Sequence, residues 1–557
     1  MSNRIEHVTI VGGGTAGWMS ALMLVSFLNR PTDNPIKITL IESANIPTVG
    51  VGEATVPGMV GLMKTLGVDE FEFFRRCNAS FKCGVRFVDW NRKPDGSSRS
   101  FVHPFQTAPY LDHFRSAYHF HRFAGEEDDF AGSVIANQEM VDAGKGPRPL
   151  TAQRYDTTFN YAYHLDAGLF ANFMRDLAVE RGVEHVYDDL EEVVLDEDGK
   201  IAQLRLKDGG LRPVEFVIDC TGFRGLVINE ALKEPFRSFN DMLLCDRALA
   251  VQVDHVCQDE IESCTTSTAL GAGWVWNVPL YNRVGTGYVF SSQFRSDAEA
   301  TEEFMGHLGD RAAGKEPRVV PMRVGRTERC WVENCLAVGL SSGFIEPLES
   351  TAIYIIEMQM RWFLESFPDK GVNPLLAKRY NRWMDDLYEE IVSFIVMHYR
   401  TSNRDDTEFW RTVRHDTPIP EKLAEDLETW RYSLPGPVDT QNNKLFNYWN
   451  YLYVLFGKRY YDDVDYPLES FVPQQQWQLY SDRIATVKRN IREKLPTHKQ
   501  LLDQIRHQAS GQLSLPESGG LHLSQRALAE PTQAAGDGQR PQRRPQARPQ
   551  QPAQGAR

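Results

Sequence analysis

The sequence lacks features that would place it among disulfide-bonded, zinc-binding or membrane proteins. Its 8 cysteines stand singly, with no CxxC pair and no His/Cys cluster at zinc spacing. No uninterrupted apolar run approaches the roughly 18 to 20 residues that a membrane-spanning helix needs. We therefore expect reduced, mostly buried thiols, no metal site and no membrane segment.

Basic residues are also too few for a nucleic-acid surface. Lys and Arg number 61 against 75 Asp and Glu, a net charge of -14, whereas nucleic-acid binding usually leaves a basic patch. The opening sequence "MSNRIEHVTIVGGG" has none of the charged, apolar and cleavage regions of a signal peptide. The sequence therefore predicts a soluble, cytoplasmic protein that does not bind nucleic acid.

The composition of most of the chain is that of a folded protein. Hydrophobic residues make up 42% and charged residues 24% of the 557 residues, enough for two or three cooperating layers or subdomains. From about Pro516 the sequence changes to Gly, Pro, Gln, Ala and Arg, with too few apolar residues to offset the entropy of ordering. This tail is predicted to be disordered.

The first segment has the pattern strand, glycine turn, helix, strand. Gly12, Gly14 and Gly17 form GxGxxG between the first strand and its helix, where glycine permits a tight turn and close backbone approach to a pyrophosphate. Glu42 ends the second strand, where a carboxylate can bind ribose hydroxyls. Together these features predict a dinucleotide site, although a tight turn without a ligand is the simpler alternative for GxGxxG alone.

Further glycine-rich turns favour FAD over NAD, because one extended cofactor needs several backbone cradles. They occur at "TVGVGEATVP", "DCTGFRG" and "AVGLSSGF", although each one alone is more often a simple chain reversal. The predicted cofactor-binding residues are Gly12, Gly14, Thr15, Ala16, Gly17, Glu42, Gly50, Gly52, Glu53, Ala54, Gly222, Gly339, Leu340 and Ile353.

Other segments complete a mixed α/β pattern. The run "SFKCGVRFVDW" alternates with a period of two, which predicts one half-buried strand with Phe81 and Cys83 on one face and Lys82 on the other. Residues 182–292 are rich in strands and turns, and residues 347–494 are mainly helical and dense in aromatic side chains.

Several of these motifs occur in the order found in flavin-dependent tryptophan halogenases. "GGGTAGW", "GVGEATVP", "GWVWNVP" and "GFIEPLEST" carry the resemblance, which runs from Ile5 to Pro496. It implies a Rossmann-type, GR2-like flavin monooxygenase α/β domain with a mixed sheet. We expect this FAD-binding region at 1–346, a mainly helical region that completes the substrate site at 347–515, and the disordered tail at 516–557.

The resemblance also implies a chemistry in which reduced FAD, O2 and chloride or bromide generate hypohalous acid. The family's lysine matches Lys82, which holds or activates the oxidant as a hydrogen-bonded acid or a haloamine. The family's glutamate matches Glu349, which assists substitution at carbon, and the adjacent Ser350 supports the lysine. From the residues alone, Lys82 is an ordinary exposed lysine and Glu349 a helix N-terminal acid.

Two further sets of residues follow from the resemblance. Thr351 and Ala352 match the family's halide position at a helix N-terminus, although family members often have glycine where this chain has Ala352. The signature WxWxxP is formed by Trp274, Trp276 and Pro279, whose bulk is expected to keep the organic substrate away from the flavin. By periodicity alone, these tryptophans would be core residues.

The aromatic site has both matches to the family and a departure from it. His103, Phe105 and Trp449 match residues that sandwich the indole, and Tyr448 occupies the position of a neighbouring phenylalanine. From the pattern alone, "LFNYWNYLYVLF" is better explained as aromatic helix core. The glutamate that clamps free tryptophan is missing from the shorter "LPGPVDTQNNKLF", where Lys444 lies near its position. We therefore expect halogenation of tryptophan within a peptide, in natural-product (antibiotic) biosynthesis.

Three alternatives are compatible with the same sequence. The substrate could be free tryptophan or another indole, the enzyme could be an FAD-dependent aromatic hydroxylase, or the chain could bind flavin as an assembly protein without turnover. WxWxxP together with Lys82 argues against hydroxylation. Because no NADH site is recognisable, reduced flavin is expected from a separate NAD(P)H-dependent flavin reductase, and a homodimer is one open oligomeric state.

Overall fold

The structure, a computed structural model, describes residues 3–29, 34–46 and 52–509; Gly50 and the predicted tail at 516–557 lie outside them. The strands, in chain order, are β1 (His7–Val11), β2 (Lys37–Glu42), β3 (Gly52–Ala54), β4 (Ser80–Lys82), β5 (Gly84–Arg92), β6 (Ser98–Pro104), β7 (Tyr110–Leu111), β8 (Phe114–Arg115), β9 (Ala162–Asp166), β10 (Glu184–Tyr187), β11 (Leu190–Leu195), β12 (Ile201–Leu206), β13 (Gly210–Pro213), β14 (Phe216–Asp219), β15 (Phe236–Ser238), β16 (Arg247–Val253), β17 (Thr265–Leu270), β18 (Gly273–Pro279), β19 (Val284–Phe290), β20 (Arg318–Pro321), β21 (Gly325–Thr327), β22 (Trp331–Val332), β23 (Cys335–Ala337) and β24 (Gly343–Phe344).

The α-helices lie between and after these strands. They are α1 (Thr15–Leu28), α2 (Gly58–Thr65), α3 (Glu70–Arg76), α4 (Ser116–Phe123), α5 (Phe130–Val134), α6 (Gln138–Asp142), α7 (Ala167–Glu180), α8 (Asp297–Leu308), α9 (Ala352–Glu365), α10 (Pro374–Arg400), α11 (Glu408–His415), α12 (Glu421–Thr429), α13 (Tyr448–Gly457), α14 (Gln474–Lys494) and α15 (His498–Ala509). The predicted strand-rich middle and helical later part are both present.

The predicted βαβ unit forms the centre of a six-stranded sheet in the order β10-β2-β1-β14-β23-β22. β1 pairs in parallel with β2 and β14, and β10 and β23 extend the parallel set. Helix α1 is buried along most of its length because its residues are apolar on nearly all sides. The carboxyl ends of the parallel strands therefore meet at one edge, where ligands of such sheets bind.

A second, seven-stranded sheet has the order β20-β16-β19-β18-β17-β5-β6. Its pairs are antiparallel except for β17 with β5, which run parallel. Strand β18, which carries the WxWxxP signature, pairs with β17 and β19 and ends at Pro279. The expected mixed α/β class is confirmed.

The prediction of one half-buried strand over "SFKCGVRFVDW" was wrong. The run is two strands in different sheets, because β4 pairs with β9 whereas β5 pairs with β6 and β17. The chain changes sheets at Cys83, whose backbone N–H donates to the Ser263 carbonyl at 2.7 Å. Both faces of β4 are covered, so Lys82 is 0% exposed rather than on a solvated face.

A buried ion pair lies next to β4. Arg148 donates through Nη1 and Nη2 to Glu70 Oε2 at 3.0 and 3.1 Å, and both side chains are 0% exposed. The other carboxylate oxygen accepts from the hydroxyls of Tyr161 and Tyr163 at 2.6 and 2.9 Å. Because the Arg148 guanidinium also lies 5.0 Å from the Phe81 ring, this cluster supports the strand that carries Lys82.

Removing Arg148 should destabilise the protein strongly. In Arg148→Met the Glu70 carboxylate stays buried without its cation, which should lower the free energy of unfolding by about 3 kcal/mol. Urea unfolding followed by circular dichroism measures the change. The matched control is Arg205→Met, because the Arg205–Glu192 pair is 45% and 55% exposed and should contribute less than about 1 kcal/mol. Equal effects of the two variants would refute a structural role for the buried pair.

Three further observations concern membrane helices, metal sites and disulfide bonds. None of the helices in the described ranges is long and apolar enough to cross a membrane. Within the same residues, no group of His, Cys, Asp and Glu side chains is arranged to hold a metal ion. All eight cysteines are free thiols, and only Cys257 among them is exposed.

Candidate active site

A cavity of about 700 Å³ opens at the carboxyl edge of the parallel sheet. Most of the predicted cofactor residues line it, namely Gly12, Gly14, Thr15, Ala16, Glu42, Gly52, Glu53, Ala54, Gly222, Gly339, Leu340 and Ile353. Gly17 packs against the turn instead of lining the cavity, and Gly50 lies outside the described residues. Residues distant in sequence thus contribute to a single cavity.

The glycine turn has the shape that a pyrophosphate cradle requires. Gly12 has φ 115, and a Cβ there would lie 2.2 Å from the Cys220 carbonyl oxygen. A Cβ at Gly17 would lie 1.8 Å from the Gly12 carbonyl oxygen, so this glycine permits close packing of helix and strand. At Gly14 nothing lies within 4 Å of the Cβ position, which leaves backbone open to the cavity. These residues fit an FAD pyrophosphate.

Two acids on the cavity wall have different surroundings. Glu42 ends β2 as predicted, and its Oε2 lies 2.9 Å from His185 Nε2. Burial raises the pKa of the Glu53 carboxyl to about 7. Glu42 is thus already oriented by a protein partner, whereas Glu53 lies where a neutral carboxyl is favoured.

Sequence reasoning missed part of this cavity. Asp188 and Asp189 line it directly after β10, and Thr221 and Phe223 line it after β14. The two aspartates reach the cavity because β10 pairs in parallel with β2, so both strands end there. The position of β10 in the sheet, which the sequence does not reveal, was the missing information.

Lys82 lies next to the cavity but does not line it; it contacts Ser350, which does. Its Nζ donates to the Ser350 Oγ at 2.8 Å and to the Thr55 carbonyl oxygen at 3.0 Å. The Phe105 ring centroid lies 5.3 Å from the same Nζ. Burial is the largest influence and lowers the pKa of Lys82 to about 7, although the Glu349 carboxylate opposes this effect.

Ser350 connects Lys82 with the cavity. It lines the cavity while accepting from Lys82, and its backbone has φ 61, a left-handed conformation that non-glycine residues seldom adopt. Such strain persists only where the surroundings determine the conformation, and it clusters at functional sites. The sharp turn at Ser350 immediately precedes the start of helix α9.

Glu349 is a buried carboxylate held by two histidines. His103 Nδ1 lies 3.0 Å from both carboxylate oxygens, and His398 Nε2 lies 2.8 Å from Oε1. Burial opposes ionisation of this group, but the histidines outweigh it and lower the pKa of Glu349 to about 2. Burial lowers the pKa of His398 to about 4, so His398 is a neutral donor near pH 7.

Of the predicted aromatic-site residues, His103 contacts this carboxylate, whereas Phe105 lies beside Lys82 and Trp449 beside Tyr448. The Asn450 side-chain amide nitrogen lies 2.9 Å from His103 Nε2, so both ring nitrogens of His103 have protein partners. Trp449 is 2% exposed, and its ring centroid lies 5.3 Å from that of Tyr448. Asn450 and His398 were missed because their partners are distant in sequence.

Thr351 and Ala352 stand at the start of α9. Thr351 occupies the N-cap without a side-chain capping bond, and Ala352 is the first helical residue. Ala352 also lines the cavity, so this helix N-terminus faces the predicted flavin site. Amides in the first turn of a helix lack intrahelical partners and can bind an anion.

The WxWxxP residues separate into two groups. Trp276 lines the cavity, whereas Trp274 is 1% exposed and packs behind it, with ring centroids 6.4 Å apart. Trp274 Nε1 donates to Glu346 Oε2 at 2.8 Å. The Pro279 carbonyl oxygen accepts from Ser80 Oγ at 2.5 Å. These residues therefore make specific polar contacts in addition to providing bulk.

Known proteins resemble this chain over most of its length. A family described as tryptophan halogenase matches residues 7–474. The chain is 40% identical to the tryptophan 6-halogenase ThaL of Streptomyces albogriseolus over 454 residues, 78% of this chain and 83% of ThaL.

Two solved structures extend the comparison. A tryptophan halogenase from Shewanella frigidimarina has a TM-score of 0.84 and 34% identity, covering 91% of this chain and 98% of that one. MibH, described as a lathipeptide tryptophan 5-halogenase, has a TM-score of 0.76 and 28% identity, with coverages of 95% and 99%.

Proposed function

Since the chain belongs to the tryptophan halogenase family and is a flavin-dependent halogenase, we propose that it halogenates the indole ring of tryptophan within a peptide. Lys82, Ser350 and Glu349 carry this proposal, because they place an ammonium donor and a carboxylate in one buried site. The site lies beside the cavity whose residues fit FAD, but it is separated from that cavity by Ser350.

The cavity residues predicted for the cofactor are the ones we assign to hold FAD. The turn from Gly12 to Gly17 receives the pyrophosphate, and Glu42 faces the ribose. When bound in reduced form, FAD supplies hypohalous acid from O2 and chloride or bromide. The first-turn amides of α9 at Thr351 and Ala352 hold the halide.

Lys82 and Glu349 then act on hypochlorous acid and the indole ring. The Lys82 ammonium donates to the oxygen of hypochlorous acid, which makes chlorine electrophilic. A ring carbon bonds to chlorine as the Cl–O bond breaks, and the oxygen takes one proton from the Lys82 ammonium and leaves as water. The Glu349 carboxylate stabilises the cationic ring and accepts the proton released from carbon. The proton released from the ring carbon later restores the ammonium. One indole and one hypochlorous acid give one chloroindole and one water.

Other parts of the chain separate the two half-reactions. Trp276 and Val278 of β18 line the cavity, so their bulk excludes a second aromatic ring from the flavin. This exclusion disfavours direct oxygen transfer to the substrate and so argues against a hydroxylase.

Reduced flavin is supplied by a separate NAD(P)H-dependent reductase, and the region from residue 347 to 515 completes the substrate site.

The segment before α13 supports a peptide rather than the free amino acid. The backbone N–H groups of Lys444, Leu445 and Phe446 all donate to the Glu390 carboxylate, at 2.6, 3.0 and 2.7 Å. The Lys444 ammonium turns back to the Asn442 carbonyl oxygen at 2.8 Å. Glu390 thus holds the segment, and a cation, Lys444, lies near the position of the family's clamping glutamate. A free tryptophan ammonium would be repelled there.

Competing substrates test this preference. Purified enzyme, a flavin reductase, NADH, FAD and chloride are incubated with free tryptophan, N-acetyltryptophan amide and tryptophan-containing peptides, and products are identified by mass spectrometry. We expect kcat/KM for N-acetyltryptophan amide and at least one peptide to exceed that for free tryptophan. Efficient turnover of free tryptophan alone would overturn the peptide proposal.

A single substitution should shift the substrate preference toward free tryptophan. Lys444→Glu offers a carboxylate to the free ammonium, and one charge-assisted hydrogen bond should lower KM for free tryptophan about tenfold. KM for N-acetyltryptophan amide, which has no ammonium, should stay unchanged. Lys444→Gln is the matched control that removes the cation without adding an anion. If both variants behave alike toward free tryptophan, this segment does not contact the substrate backbone.

A further inference from the structure

Strand β18 is hydrogen-bonded to both segments that carry the proposed catalytic residues. At its start, Trp274 Nε1 donates to Glu346, which lies three residues before Glu349. At its end, the Pro279 carbonyl accepts from Ser80, which lies two residues before Lys82. We propose that β18 sets the relative position of Lys82 and Glu349, with Glu346 and Ser80 as its positioning residues. This inference rests on the proposed roles of those two residues.

At the start of β18, Glu346 joins three parts of the fold. Glu346 is 0% exposed, and its Oε2 accepts from Trp274 at 2.8 Å and from the Tyr399 hydroxyl at 2.6 Å. Tyr399 follows His398 on α10, and His398 bonds to Glu349 at 2.8 Å. Movement of Glu346 would therefore shift the loop that carries Glu349 and the helix that carries its histidine partner.

Glu346 is also a costly residue to bury. Burial raises its pKa to about 7, and its Oε1 has no hydrogen-bond partner among the described residues. An apolar side chain would avoid this cost if filling space were the only requirement. Joining Trp274 and Tyr399 at a single oxygen requires an acceptor, and Glu346 supplies it.

The Ser80 end fixes the strand of Lys82. Ser80 is 0% exposed, and its Oγ contacts His164 Nδ1 at 3.1 Å in addition to donating to Pro279. In the β4–β9 ladder Ser80 pairs with His164, and Lys82 pairs with Ala162. The bond to Pro279 therefore connects the WxWxxP strand to the strand of Lys82 at a defined register.

The strand between these anchors has a fixed length. Five residue steps separate Trp274 from Pro279, about 17 Å of extended chain at the usual rise per residue. β17 and β19 flank β18 on its two edges, so its ends cannot approach each other without breaking the sheet. A spacer of this kind suits two groups of which one polarises the oxidant and the other acts on the ring that the oxidant attacks, because a misplacement of about 1 Å can reduce a rate a hundredfold.

Three variants test the two anchors separately. Trp274→Phe removes the indole N–H and keeps an aromatic ring, Ser80→Ala removes the hydroxyl, and Glu346→Gln keeps an oxygen that accepts both hydrogen bonds. Reactions with free tryptophan and with N-acetyltryptophan amide give kcat, KM and the halogenated product formed per FADH2 oxidised. We expect Trp274→Phe and Ser80→Ala to lower kcat and this product ratio about tenfold, with KM and flavin reoxidation unchanged. Glu346→Gln should stay within threefold of wild type.

Two controls separate positioning from general stability. Trp331→Phe removes another buried indole N–H, which donates to the Glu333 carbonyl at 2.9 Å in the other sheet, so it should lower the melting temperature without changing the product ratio. Ser80→Ala combined with Lys82→Met should give no further loss beyond Lys82→Met alone.

The outcomes distinguish this inference from the proposed function. Trp274→Phe and Ser80→Ala with wild-type product ratios, alongside an inactive Lys82→Met, would overturn the inference alone. A fully active Lys82→Met would overturn the proposed function first. Equal loss of product ratio in Trp331→Phe would show that the variants report only loosened packing, and would also overturn the inference.

Discussion

Lys82→Met should lose halogenation by at least about a thousandfold while FADH2 is still oxidised at the wild-type rate. Methionine has a similar length and no donor, so it removes the group that polarises hypohalous acid in a site closed to water, where such donors are worth most. The fold should survive, because burying a lysine is unfavourable to begin with. Product per FADH2 oxidised, measured by mass spectrometry and flavin absorbance, checks this result.

The pH dependence of the same step identifies the active form of Lys82. Because the pKa is lowered to about 7, the side chain is an ammonium below that pH and a neutral amine above it. If the ammonium polarises the acid, the rate of halogenation should fall as the pH rises through about 7. A haloamine mechanism needs the neutral amine, and its rate would fall as the pH drops through the same value. We expect the first profile.

Glu349→Gln should lower halogenation about a hundred- to a thousandfold with little change in KM. The amide keeps the size of the side chain but loses the negative charge that stabilises the cationic ring and the oxygen that accepts its proton. The carboxylate is ionised throughout the working pH range because its pKa is held near 2. Single-turnover product formation with purified reductase tests this expectation.

His398→Gln provides the matched control for Glu349. It replaces one donor to Oε1 and leaves His103, so the carboxylate should remain ionised and most of the activity should remain. Equal losses in Glu349→Gln and His398→Gln would contradict the assignment of the charge itself, since both would then act only through packing around the site.

Local features of the fold were predictable from the sequence. Strand β1, helix α1 and strand β2 have their predicted order, and Glu42 ends β2, because apolar periodicity and a glycine turn determine them within a short stretch. The change of sheet at Cys83 was not predictable, because the alternation of "SFKCGVRFVDW" continues across it. The run divides into two strands because β4 pairs with β9 and β5 pairs with β17. Both partner strands lie far along the chain.

The contacts within the candidate active site could not be predicted from the sequence either. Lys82 reads as a surface residue until Ser350, 268 positions later, is placed 2.8 Å from its ammonium. No composition or spacing rule reveals that Glu349 lies between His103 and His398. The resemblance to a family indicated Lys82 and Glu349. Only the structure shows the partners that hold the site residues in place, including the contact of Trp274 with Glu346.

In the proposed mechanism, oxidant formation and ring substitution occur at separate groups of this chain. The most direct test of this claim is a single-turnover reaction of wild type and Lys82→Met with FADH2, O2, chloride and N-acetyltryptophan amide, in which flavin reoxidation and product mass are followed together. We expect equal flavin reoxidation in both, and a chlorine isotope pattern on the indole only in the wild type. A chlorinated product in undiminished amount from Lys82→Met, or a product that has gained oxygen instead of chlorine in the wild type, would contradict the claim.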